Sequence, residues 1–213
     1  MLKLHTYFRS SASFRVRIAL NLKGLAYEAI PVHLLAGGGE QLRPQFRAIN
    51  PMGLVPVLQD GTETLTQSLA IIEYLDELHR EPPLLGRSAI ERARIRAVAL
   101  DIACEIHPLD NLRVLNYLVG EFGLSANQKK RWYRHWVETG LAAVEAAVTR
   151  APGLFCIGDT PTLADCCLVP QMFNAMRFDC DLSRVPKLVS IHEHCVAMDA
   201  FRRASPEAQP DAA

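Results

Sequence analysis

Leu2, Leu4, Thr6 and Phe8 alternate with Lys3, His5 and Tyr7, the two-residue period of a strand with unlike faces. The period then lengthens. Phe14, Ile18 and Leu22 recur every four residues with arginines between them, which predicts an amphipathic helix opening near Ser11 and ending before Gly24. Tyr27 to Leu34 predicts a second strand, and the stretch from Gly37-Gly38-Gly39 to Arg47, with Pro44 inside it, predicts a flexible loop with room for one short helix. Val55-Pro56-Val57-Leu58, then Asp60-Gly61, then Thr62 to Leu65 predict two short strands joined by a hairpin turn. Pro56 has no N–H to give a ladder, so it marks a strand start or a bend. From Ser68 to His79, Leu69, Ile72, Leu75 and Leu78 return at helical spacing, and Pro82-Pro83 stops the helix.

The order strand, helix, strand, loop or helix, strand, strand, helix describes an α/β domain over residues 1–82. Beyond Leu85 the strand signals fade. Amphipathic segments over Ala89 to Glu121, Ser125 to Arg150, Leu163 to Met176 and Val185 to Arg203 predict an all-helical second domain, residues 87–213. Thr162-Leu163-Ala164-Asp165 fits a capping box, so Thr162 and Asp165 are assigned to folding rather than chemistry. Trp132 and Trp136, four residues apart, are read as packing residues. The Pro-, Gln- and Ala-rich tail after Ala204 is expected to fray.

Composition narrows the class. Apolar residues make up 49% and charged residues 22% of the 213, and 23 Lys plus Arg balance 23 Asp plus Glu. No global field therefore points to nucleic acid or an anionic membrane, and any anion site must be local. The N-terminus has no apolar core of signal-peptide length, and no stretch nears the roughly 18 apolar residues of a membrane span, so the chain reads as cytoplasmic with no membrane partner. Cys104, Cys156, Cys166, Cys167, Cys180 and Cys195 lack CxxC or metal-finger spacing. They are expected to be free thiols packed as small apolar side chains, with no metal site among them.

Arg9-Ser10-Ser11 stands at the turn from first strand to first helix, where helix amides and dipole favour an anion. A thiolate is such an anion, and a serine hydroxyl adds a hydrogen bond to it. Gln67-Ser68 is a second polar pair at a strand-to-helix turn, suited to a carboxylate. Either pair alone reads more simply as an ordinary helix cap. Combined with a Val55-Pro56 bend that presents Val55 backbone groups to an extended peptide, they describe a surface for a short anionic peptide.

The run from Tyr7 through Arg9-Ser10-Ser11-Ala12-Ser13-Phe14 to Leu20 resembles the signature of the zeta-class glutathione transferases. Asn50-Pro51-Met52, Val55-Pro56 and Gln67-Ser68-Leu69-Ala70-Ile71-Ile72-Glu73-Tyr74-Leu75 resemble that family's glutathione-binding half, and Ile106-His107-Pro108-Leu109-Asp110-Asn111-Leu112 with Arg177-Phe178 its helical half. The chain departs from the family pattern at Ala12, where cysteine is usual, at Phe14, where tryptophan is usual, and at Gly53-Leu54, which replace a more polar pair. The resemblance implies a thioredoxin-like N-terminal domain, a helical C-terminal domain, a cis peptide before Pro56, glutathione as cofactor and a homodimer. It also implies that Ser10 and Ser11 face the sulfur, that Val55 pairs with the cysteinyl backbone and that Gln67 and Ser68 hold the γ-glutamyl carboxylate.

Glutathione-dependent cis–trans isomerisation of a small dicarboxylate such as maleylpyruvate is the leading expectation. Maleylacetoacetate isomerisation, conjugating or dehalogenating transfer, and a noncatalytic interaction protein on the same fold stand as alternatives. Such an isomerisation needs cations for the substrate carboxylates. Arg9, fixed by the motif, and Arg177, placed by the resemblance, are the forked donors expected there. His107 and Asn111, four apart and so on one helical face, are expected to add polar contacts to the substrate, whereas Arg113 points elsewhere.

Overall fold

The computed structural model describes residues 1–151 and 153–212. The chain forms two compact units, one made of Met1–Leu84 together with the segment from Ala197 onward, the other of Leu85–Val196. Among the described residues no helix is long and apolar enough to cross a membrane.

In the first unit, β1 (Leu2–Thr6) lies inside a four-stranded sheet of order β2-β1-β3-β4. It runs parallel to β2 (Tyr27–Pro31) and antiparallel to β3 (Val57–Asp60), which forms a hairpin with β4 (Glu63–Thr66). The alternation seen in sequence places Leu4 against both Ala29 and Leu58, fully buried. β2 is shorter than its hydrophobic run because its partner β1 ends at Thr6, opposite Pro31, and Val32 N–H makes the last bond, to Thr6 O. The strand expected from Val55 begins instead at Val57, after a cis Val55-Pro56 peptide. The glycine-rich stretch is more ordered than a flexible loop. His33 Nδ1 accepts from the N–H groups of Leu35 and Ala36, Glu40 accepts from His33 N–H, and α2 (Pro44–Ile49) follows with Pro44 in its first turn.

Helix α1 (Ser11–Leu22) packs on α3 (Ser68–Leu78) and on α10 (Asp199–Ala204). With partners on both sides it has no wet face. The arginines that the four-residue period sets between the apolar positions are interior, Arg15 at 2% and Arg17 at 0% exposure. Arg17 remains in hydrogen bonds throughout, to Ala204 O, Thr6 Oγ1, Tyr7 O and Phe8 O. Burial draws its pKa down to about 10, opposed by Tyr27 and Asp211, so it stays charged at neutral pH.

The segment from Ala197 onward, which the sequence carries into the helical domain, therefore clusters with the first unit. Among the described residues the tail is tied down by hydrogen bonds. Gln209 Nε2 donates to Arg203 O and Ser205 O, and Asp211 Oδ2 accepts from Phe8 N–H at 3.0 Å.

The second unit is helical. α4 (Ala89–Leu100) starts at a Ser88–Glu91 capping box and widens into a π-helical stretch, Asp101–Ile106, that leads to α5 (His107–Asp110) and α6 (Leu112–Phe122). α7 (Ala126–Val148) approaches that stretch so closely that a Cβ on Gly140 would collide with the Ile106 side chain. α8 (Leu163–Arg177) starts at the Thr162–Asp165 box and packs on α4, and α9 (Pro186–Ala197) follows. Two continuous segments expected from periodicity are broken, one at Asn111 and one at Met198. Each of these residues takes extended backbone as the cap of the next helix. All six cysteines are free; Cys156, Cys166, Cys167 and Cys195 are core residues, whereas Cys104 is exposed and Cys180 half-buried.

Candidate active site

The turn from β1 to α1 closes through Ser10 N–H to Tyr7 O at 3.0 Å. Ser10 is the N-cap, its Oγ accepting from Ser13 N–H at 3.2 Å. Capping occupies a lone pair and leaves the hydroxyl proton available to an acceptor. Ser11, the first helical residue, is buried. Arg9 is exposed, with Nη2 donating to Tyr7 Oη at 3.3 Å and its guanidinium 4.7 Å from the Phe8 ring centre. These contacts brace a cation beside the helix start.

The second helix start carries a backbone outlier. Gln67 has φ +69°, a conformation costing roughly 1–3 kcal/mol outside glycine, and its side chain caps nothing. Ser68 next to it is buried, and its Oγ accepts from Arg15 Nη1 at 3.3 Å. The first turns of α1 and α3 contain no acidic residue, so neither positive helix end is neutralised from within. Val55 precedes the paired register of β3, which starts at Val57, and packs with Tyr7, Val32, Phe46 and Val57. Asn50 holds the approach to it, donating to Leu54 O at 2.7 Å and accepting from Met52 N–H at 3.1 Å. Asn50 belongs to the Asn50-Pro51-Met52 motif, whereas Arg15 carries no assigned role in the sequence reading. Two arginines two residues apart on an otherwise apolar helix were the available signal for Arg15.

In the second unit, His107 and Asn111 do not share a helical face. α5 ends at Asp110, and Asn111 turns to extended backbone (φ −67°, ψ 145°) so that its side chain accepts from Arg113 N–H and caps α6. The segment between them is fastened twice, by Trp132 Nε1 to Leu109 O at 2.7 Å and by Gln171 Nε2 to Asp110 Oδ2 at 3.1 Å. Trp132 is thus a packing residue with a satisfied N–H, edge-on to Trp136. Arg177 ends α8, exposed, 4.9 Å from the Phe178 ring, which stacks on Tyr133 at 3.8 Å. Burial, with Asp110 adding to it and Arg177 opposing, raises the Tyr133 pKa far above neutrality, so its hydroxyl stays protonated. Burial likewise pushes the Cys156 and Cys166 thiols well up, away from thiolate chemistry.

The glutathione S-transferase N-terminal domain family matches residues 4–83. The probable maleylacetoacetate isomerase of Vibrio cholerae is 50% identical over 209 residues, 98% of this chain and 97% of that protein. The maleylpyruvate isomerase of a Ralstonia species is 47% identical over 214 residues, 100% of each. Among solved structures, a holo maleylpyruvate isomerase described as a bacterial zeta-class glutathione-S-transferase superposes with TM-score 0.95 at 47% identity, covering 99% of this chain and 100% of that one. The maleylacetoacetate isomerase of Anaeromyxobacter dehalogenans with glutathione in its active site superposes with TM-score 0.89 at 45% identity, covering 100% and 98%. The relatives are alike over their whole length and the two helix starts carry the family's motif, so this chain belongs to the zeta class of the glutathione transferases.

Proposed function

We propose that this enzyme isomerises maleylpyruvate to fumarylpyruvate with glutathione as a regenerated cofactor. The observation that carries the reading is the pair of unneutralised helix starts with a hydroxyl at each, Ser10 on α1 and Ser68 on α3. The chain's own groups fit the tripeptide: Ser10 and Ser11 for the sulfur, the Val55 backbone for the cysteinyl unit, and Gln67 and Ser68 for the γ-glutamyl carboxylate. When bound, glutathione supplies a thiolate that adds reversibly to the cis alkene, so that the double bond becomes rotatable and re-forms trans. Ser10 lowers the thiol pKa by hydrogen bonding to the anion, helped by the α1 amides. Arg9 and Arg177 take the substrate carboxylates as bidentate partners, and His107 and Asn111 orient the polar chain between them.

A second reading, maleylacetoacetate as the preferred substrate, is favoured by the 50% identity to the Vibrio cholerae protein. The two substrates differ by one methylene, a difference usually worth about 1–3 kcal/mol, so cross-activity accompanies either preference. Parallel kcat/KM measurements on both substrates at fixed glutathione decide between them. Stoichiometric loss of glutathione would point instead to a conjugating transferase. We further propose a cytoplasmic homodimer. The six free cysteines suit a reducing compartment, and sedimentation tests the dimer.

A further inference from the structure

Two buried arginines on α1 differ in how their charge is met. Arg17 spreads its guanidinium over three main-chain carbonyls and a threonine hydroxyl. Arg15, two residues earlier and 2% exposed, donates through Nη1 to Ser68 Oγ, while its buried Nε and Nη2 meet no acceptor among the described residues. A guanidinium out of water with two nitrogens unsatisfied is among the costlier groups a fold can hold. Among the described residues its hydrogen-bond partner is a neutral hydroxyl, at the first residue of the eleven-residue α3, beside the strained Gln67.

The direction of that hydrogen bond is informative. Ser68 Oγ accepts from Arg15, so its own proton is turned away from the guanidinium and is free to be donated outward. A hydroxyl polarised by a cation is a stronger donor. The α3 dipole adds to it, with no acidic side chain in the first turn to cancel it. Everything assembled at this helix start, a buried cation, a polarised hydroxyl and free positive helix end, calls for a carboxylate.

We infer that Arg15 is the positioning cation of the carboxylate subsite at the start of α3, setting the Ser68 hydroxyl and supplying the charge that the bound carboxylate balances. Resting on the glutathione reading above, that carboxylate is the one on the γ-glutamyl unit. The full chain then carries an uncompensated charge until its cofactor binds.

The test compares glutathione with 4-aminobutyryl-cysteinyl-glycine, which lacks only that carboxylate, by calorimetric titration of wild type and Arg15→Met. Wild type is expected to prefer glutathione by about 10- to 100-fold, the range of a charge-assisted hydrogen bond. Arg15→Met should bring the two ligands to nearly equal affinity by weakening glutathione and sparing the analogue. Its ligand-free melting temperature should be no lower than that of wild type, because an unpaired buried charge has been removed. Equal weakening of both ligands, unchanged discrimination, or a lower ligand-free melting temperature would each overturn the assignment. Should Arg15→Met not fold, Arg15→Lys carries the same comparison: it keeps the charge but not the fork, and is expected to lose part of the discrimination, with full retention counting against the proposal. A wild-type protein that binds neither ligand would sink the glutathione reading itself; one that binds glutathione while Arg15→Met discriminates as before would sink only the role of Arg15.

Discussion

Arg17 Nε donates to Ala204 O at 2.9 Å, joining residues 187 apart in the chain. The same guanidinium holds Tyr7 O and Phe8 O, the last carbonyls before Arg9. Arg17→Met takes this donor from Ala204 O, Phe8 O and Thr6 Oγ1, while Tyr7 O keeps Ser10 N–H. Each such loss costs about 1–3 kcal/mol, so a total of roughly 3 kcal/mol or more is expected, read from urea unfolding midpoints at constant m.

Ser10 combines a cap with a proton donor, and the two roles separate by substitution. Ser10→Ala should cost about 1 kcal/mol of stability and also raise the pKa of bound glutathione. Ser10→Asp caps as well as serine but sets a negative charge against the sulfur. Near wild-type melting with a strongly raised thiol pKa is expected, followed by thiolate absorbance. A depressed thiol pKa in Ser10→Asp would exclude a thiolate at this helix start.

Arg9 and Arg177 are both exposed and each lies over the face of a neighbouring phenylalanine. Lysine keeps the charge but loses the fork and the stacking. Arg9→Lys and Arg177→Lys should each lower kcat/KM about tenfold or more with melting temperature within a degree or two of wild type. Unchanged efficiency in both would remove them from the reaction.

His192 in α9 is buried, and its Nδ1 has no hydrogen-bond partner among the described residues. Burial lowers its pKa, with Glu193 opposing. Below its ordinary pKa of about 6.5 the unfolded chain takes a proton that the folded chain refuses, so stability falls as pH drops through that value and levels off below the lowered native pKa. His192→Gln should fall less between pH 7 and pH 5 in urea midpoints; an unaltered pH slope would show that the ring does not titrate differently on folding.

Much of this was readable from local pattern. The alternation from Leu2 to Phe8, the turn at Ser10, the hairpin at Asp60-Gly61 and the box at Thr162 each follow from short-range rules, and each lies where those rules put it. What escaped depends on partners far away in sequence. Arg15 and Arg17 fall between the apolar positions of a four-residue period, on opposite flanks of α1, and only packing on α3 for Arg15 and on α10, some 180 residues later, for Arg17 turns those flanks into interior. The break at Asn111 escaped too, because a period cannot report that one residue has left the helix to cap the next. The placement of Ser10, Gln67, Ser68 and Val55 in the first unit came from motif, whereas the burial of Arg15 against Ser68 came only from packing.

The return of the tail also sets an order of assembly. A ribosome delivers the strands and helices of the first unit early, but α10, which packs on α1 and accepts from Arg17, follows only after the whole of the second unit. The first unit to begin folding is thus not the first to be complete, and a stop codon anywhere before Asp199 would leave α1 without that partner.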